Sequence, residues 1–147
     1  MDIKRIEPHE MGQVRNLIWT VFSEFVAKDC TEDGIAIFKN DLSGNEFFAD
    51  KSLYGAYING ELAGILGTKV CDSHISILFV DKKFHGCGVG RRLITLVINR
   101  CILPKITVNA SLYAHDFYKK MGFVDYCDMR EVGGIRHYPM VLNTINW

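Results

Sequence analysis

The 147-residue chain lacks an excess of either charge: 17 Lys and Arg balance 17 Asp and Glu, for a formal net charge of zero. A broad electrostatic surface for nucleic acid is therefore not expected. A small acidic pocket for a cationic substrate is still allowed. The five cysteines, Cys30, Cys71, Cys87, Cys101 and Cys127, are scattered and form no C-x-x-C pair. That argues against a metal cage or a disulfide framework and for a reducing, cytoplasmic setting. No apolar run suggests a membrane span, and the start Met1-Asp2-Ile3-Lys4-Arg5 has none of the apolar core of a signal peptide. Repeats, low-complexity tracts and linkers are absent as well. Residues 1–147 thus read as one domain with a sizeable core.

What is present is organised around residues 75–94. Ile75-Ser76-Ile77-Leu78-Phe79-Val80 reads as a strand of β-branched and aromatic residues. His85-Gly86-Cys87-Gly88-Val89-Gly90 then makes a glycine-dense turn into an apolar helix. Unpaired N–H groups at such a helix start, with the positive end of the helix dipole, form an anion site. Arg91 and Arg92 add charge beside it, so a phosphate-bearing ligand is expected here. A Walker loop requires Lys and then Ser or Thr where Arg91 and Arg92 stand, and the spacing of Gly86, Gly88 and Gly90 misses the G-x-G-x-x-G fingerprint by one residue.

The stretch resembles the acyl-CoA site of the GNAT acetyltransferase superfamily, which reads Gln/Arg-x-x-Gly-x-Gly/Ala after a strand ending in Leu-x-Val. Leu78 and Val80 match the strand, and Gly88 and Gly90 match the loop. His85 replaces the usual Gln or Arg and Lys82 stands where Pro is common; neither change removes backbone donors. A second motif, residues 109–123, resembles the later family pattern, with Ala114 before Phe117-Tyr118 and Gly122-Phe123 after. The two motifs occur in the family's order and spacing, so the resemblance covers nearly the whole chain.

Local signals place the remaining elements. Residues 2–6 read as a strand, and Pro8 suits a helix start. Val14, Leu17, Ile18, Val21, Phe22 and Phe25 recur at helical spacing up to about residue 27. Thr31 is a candidate N-cap for a second helix to about residue 39, followed by an irregular stretch to residue 50. Strands over 51–58 and 61–70 meet at Asn59-Gly60, a type I′ hairpin signal, and Gly64 and Gly67 mark a bend or bulge in the second. A strand over 72–80, a helix ended by Pro104 and a strand over 105–109 form a parallel crossover unit. A helix over 111–121 with Gly122 after it, then a hairpin of 123–132 and 135–142 around Gly133-Gly134, complete the chain. The expected fold class is α/β: a GNAT-like, mostly antiparallel mixed sheet with one splayed parallel pair and helices on both faces.

The resemblance implies an N-acetyltransferase that moves acetyl from acetyl-CoA, as cosubstrate and without a metal, directly to a primary amine of a small molecule or protein. It implies that pantetheine lies along Leu78, Phe79 and Val80, with a backbone N–H near Leu78 facing the thioester carbonyl. The pyrophosphate is expected on the N–H groups of His85, Gly86, Cys87, Gly88, Val89 and Gly90, beside Arg91. Asn109 and Ser111 are both candidates for a cofactor contact, with Phe117 and Tyr118 lining the same site. Tyr118 matches the family tyrosine that protonates the CoA thiolate. His74, six residues before Val80, aligns with the base of the histone-acetyltransferase branch; strict alternation puts it on one face with Ser76, Leu78 and Val80. His9, His115 and His137 belong to no constellation. Asp29, Glu32 and Asp33, on the elements that shape the family's acceptor site, are candidates to attract an amine, although capping and solvation also account for them. No nucleic-acid or membrane partner is expected, and a homodimer is left open. The alternative reading is a CoA-binding sensor or regulatory module without turnover.

Overall fold

The computed structural model describes residues 1–146. Eight strands, β1 (Asp2–Arg5), β2 (Ser52–Ile58), β3 (Glu61–Lys69), β4 (His74–Val80), β5 (Lys105–Ser111), β6 (Val124–Asp125), β7 (Arg130–Val132) and β8 (Ile135–Asn143), form one sheet. The spatial order is β1-β2-β3-β4-β5-β8-β6, and β7 also pairs with β8. Every pairing is antiparallel except β4 with β5. Helices α1 (Met11–Val21), α2 (Glu32–Ser43), α3 (Glu46–Ala49), α4 (Val89–Arg100) and α5 (His115–Lys120) cover the two faces. This is the mixed architecture expected from the sequence.

Two cores follow from the two covered faces. Leu93, Ile94 and Val97 of α4 and Tyr118 of α5 bury against Leu66, Ile106, Val108 and Met140. On the opposite face, Val14, Leu17 and Ile18 of α1 and Leu42 of α2 bury against Leu62, Ile65 and Ile77. The apolar stripe of the first helix is thus its packing face. Its helical path is not uniform: a π-helical stretch, Phe22–Val26, and a 3-10 turn, Ala27–Asp29, extend α1. The Thr31 hydroxyl accepts from the Gly34 N–H at 3.0 Å and caps α2. Burial of Leu42 at 4% exposure carries α2 past residue 39 to Ser43.

Other boundaries move for identifiable reasons. Positive φ at Val70, Cys71 and Asp72 (52°, 54° and 62°) turns the chain, so β4 starts at His74 instead of residue 72. The last helix starts at His115, because β5 continues to Ser111 and the Ser111 hydroxyl accepts the Ala114 N–H at 3.1 Å. It ends in a Schellman motif: Phe123 N–H donates to Tyr118 C=O and Gly122 N–H to Lys119 C=O, each at 3.0 Å, with Gly122 at φ 101°. The strand expected over 123–132 is split into β6 and β7.

The most consequential departure is a β-bulge. Gly67 pairs with Ile77, but Thr68 pairs with Ile75, so Ser76 is an extra residue in β4. A bulge near Gly67 was expected; its effect on side-chain parity was not. Leu78 and Val80 pack on the α4 face and Ile77 and Phe79 on the α1 face, whereas Ile75 joins the α4 face. His74 therefore lies on the face opposite Leu78, which corrects the strict alternation expected of this strand.

Candidate active site

The parallel strands β4 and β5 are paired at only two rungs, His74 with Thr107 and Ile75 with Val108. Thr107 N–H also donates to Ser73 C=O at 2.8 Å. Beyond Ile75 the strands separate, and their free edges wall a cleft of about 700 Å³. Asp81 N–H donates to Ala63 C=O of β3 at 2.8 Å. By alternation, the backbone groups of Leu78 and Val80 point the other way, into the gap.

At the wide end of the gap the chain turns into α4. Gly86 and Gly88 take φ of 80° and 77°, left-handed values that favour glycine. The first helical bond of α4 is Arg92 N–H to Gly88 C=O at 3.0 Å. The N–H groups of Gly88, Val89, Gly90 and Arg91 precede it and face outward at the positive end of the helix. Two N–H groups expected to join them do not. His85 donates to Lys82 C=O and Cys87 to Phe84 C=O, both at 3.2 Å. Cys87 is exposed and does not line the cleft; its N–H is consumed by the preceding turn. Gly90 has a different constraint: a Cβ there lies 3.1 Å from the Phe117 ring.

Ser76, at the bulge, also lines the cleft, and its buried hydroxyl has no partner among the described residues. An orphaned donor beside free strand edges and a donor-lined helix start suits a ligand carrying carbonyl, amide and phosphate oxygens, as acyl-CoA does. Tyr118 closes the inner wall at 3% exposure. Burial pushes its phenol far above the usual range, so it keeps its proton at any physiological pH. Its ring packs edge-on to Phe117 and Phe123, each with centroids 5.3 Å apart.

The face covered by α1 and α2 supplies the other wall. Phe22, Val26, Phe38, Phe79 and Ile135 line it, with Phe22 and Phe38 stacked at 4.2 Å. The π-helical stretch carries two of these residues, Phe22 and Val26. The wall is fastened to the β7–β8 hairpin through main chain. Thr31 N–H donates to Gly134 C=O at 2.8 Å, Cys30 bridges Ile135, and a Cβ on Gly34 falls 2.6 Å from the Gly134 oxygen.

Leu78, Phe79, Val80, His85, Gly86, Gly88, Val89, Gly90, Arg91, Asn109, Ser111, Phe117 and Tyr118 all line this one cleft. Cys87 and His74 do not. His74 sits at the closed end of the splay, its Nδ1 2.7 Å from Thr107 Oγ1. Ser111 spends its hydroxyl on Ala114, whereas the Asn109 amide is exposed. Asp29, Glu32 and Asp33 lie outside the lining, which contains no carboxylate among the described residues. Sequence reasoning passed over Ser76, Phe38, Tyr113 and His137, which do line it. The Gly67 bulge signal pointed near Ser76; no short-range pattern reports that β8 carries His137 into the cleft.

A mixed sheet that splits beside a glycine-led helix, with a buried tyrosine across the split, defines an acyltransferase-type α/β domain. The acetyltransferase (GNAT) domain profile matches residues 26–144, and the chain belongs to that family. Over 53 residues it is 40% identical to the peptidyl-lysine N-acetyltransferase YjaB of Escherichia coli K12. That stretch spans 34% of this chain and 35% of that relative. A GCN5-related N-acetyltransferase structure from Rhodopseudomonas palustris superposes with a TM-score of 0.79 at 20% identity, over 97% of this chain and 94% of that one. The PaiA N-acetyltransferase of Thermoplasma acidophilum, solved with coenzyme A, gives 0.69 at 14% identity, over 97% and 98%. The likeness to these two structures is one of fold. No helix among the described residues is long and apolar enough to cross a membrane.

Proposed function

We propose that the protein is an acetyl-CoA-dependent N-acetyltransferase that acetylates a primary amine of a small molecule or a lysine-type side chain by direct transfer. The observation that carries this reading is the cleft itself. Outward-facing backbone groups at Leu78 and Val80, the glycine-led start of α4, and Tyr118 meet in one continuous space. The residues of α4's first turn, with Arg91, bind the pyrophosphate. Leu78 N–H stabilises the oxyanion that develops as the amine attacks. Tyr118 gives its proton to the departing thiolate. An imidazole on the α1 face takes the proton that the amine loses. His74, the base expected from the sequence, is held by Thr107 and does not line the cleft.

Supporting this reading are the family membership and the amine acceptor named for the Escherichia coli relative. The test is incubation with acetyl-CoA and a broad panel of amines, reading free thiol and acetylated amine together. Stoichiometric appearance of both supports transfer. CoA binding without either product would instead mark a sensor or regulatory module.

A further inference from the structure

The geometry points to His137 as the general base on the acceptor side of the cleft, an inference that rests on the N-acetyltransferase reading above. The other four histidines are committed elsewhere. His9 lies 3.4 Å from Glu7, outside the cleft. His74 is held by Thr107 at the apex of the splay. His85 has its Nε2 on the Val80 carbonyl at 2.8 Å. His115 contacts Asp125 at 2.7 Å and stacks on Tyr138 at 3.6 Å. His137 lines the cleft, is only half-buried, and makes no hydrogen bond through its ring to the described residues.

Its height and face follow from register. Ile75 is level with Val108 across the parallel rung, and three residues further β5 reaches Ser111, which pairs with His137. Three to four residues beyond Ile75, allowing for the bulge, β4 reaches Leu78 and Phe79. His137 thus stands level with the backbone group assigned to the thioester carbonyl. Along β8, Tyr138, Met140 and Leu142 pack on the α4 face, so His137 faces the α1 side. Tyr118 belongs to the α4 face. Acid and base therefore occupy opposite faces of the split sheet.

In the transfer step the amine lone pair forms the C–N bond and the C–S bond breaks with its electron pair on sulfur. His137 takes the proton lost by nitrogen, Tyr118 gives one to sulfur, and solvent restores both side chains. The charged and titratable groups around His137 are Arg130, paired with it from β7, Arg136 on its own strand, and Glu131 opposite Arg136. Cys30 and Asp29 approach from the α1–α2 link.

The experiment compares wild type, His137→Gln and His74→Gln with one accepted alkylamine at saturating acetyl-CoA, across pH 5.5 to 9. CoA affinity by calorimetry checks each fold. His137→Gln should bind CoA within about twofold of wild type yet lose roughly 10²–10⁴ in kcat, with the acid limb of the profile flattened. His74→Gln should stay within a few-fold. Added imidazole should restore part of the rate to His137→Ala and none to His74→Ala. A His137→Gln profile that matches wild type overturns the assignment while leaving N-acetyl transfer standing. Wild type that binds acetyl-CoA and acetylates no amine overturns both. Labelling wild type with diethyl pyrocarbonate, mapped by mass spectrometry, gives a reading independent of variant folding. Loss of turnover in step with the His137 label supports the role, and full turnover with His137 fully labelled overturns it.

Discussion

His74 Nδ1 and Thr107 Oγ1 lie 2.7 Å apart across the first of the two rungs that join β4 to β5, just before the strands part. The contact ties the apex of the splay. Burial, aided by Lys69, holds the imidazole below its ordinary pKa. Folded His74 therefore binds fewer protons than the unfolded chain once pH falls toward about 6.5. Its contribution to stability is complete above that value and is lost as pH falls through it toward the folded pKa. Thermal midpoints should decline between pH 7.5 and 5.5 in wild type, and less steeply in His74→Asn. Parallel declines would locate the acid sensitivity in other groups.

Gly90 borders both Phe117 and the start of α4. A glutamate there crowds the ring, which lies 3.1 Å from the Cβ position, and brings a carboxylate to the anion site. Like charges about 4 Å apart near a surface repel by about 4 kcal/mol, so Gly90→Glu should weaken CoA binding by roughly 10²–10³-fold. Circular dichroism should report an intact fold. Calorimetry giving wild-type affinity would move the pyrophosphate away from α4.

Tyr118→Phe removes a proton donor and keeps the ring between Phe117 and Phe123. CoA affinity should hold, and kcat should fall by roughly 10²–10⁴ if the phenol protonates the thiolate. Near-normal turnover would leave Tyr118 as a packing residue.

The described lining of the cleft carries Arg91, Lys120 and Arg136 but no carboxylate, and its α1 side is aromatic. Polycationic acceptors find no counter-charge there. Monoamines on an aryl or alkyl body should therefore exceed polyamines in kcat/KM. Truncation in Phe38→Ala should lower kcat/KM for phenethylamine about tenfold to a hundredfold, the effect of ~1.5–3 kcal/mol of lost apolar burial. A preference for spermidine in wild type would contradict this view of the pocket.

The glycine-led wall of the cleft was legible because its signals are local. Glycines at 86, 88 and 90, the strand before them and the Phe117-Tyr118 pair lie within short windows, and each governs its own backbone or helix face. The opposite wall was not. His137 enters the cleft only through pairings of β8 with β5 and β7, separated in sequence from the first motif by some fifty residues. His74 shows the opposite failure: a single extra residue at Ser76 reverses the parity of everything before it on the strand. Composition likewise left room for an acidic pocket, yet Asp29, Glu32 and Asp33 fall outside the cleft.

The junction of Gly34 with Gly134 has a mechanical corollary. Two stretches of main chain meet there beside the Thr31 side chain, and the Thr31 N–H ties one to the other by a 2.8 Å hydrogen bond. The place of the hairpin beside the α1–α2 wall is therefore set by main-chain contacts. Enlarging the cleft on this side would have to hollow out Phe22, Phe38 or Ile135, which line it. Substitution at either glycine would unseat the hairpin, and with it the strand that carries His137.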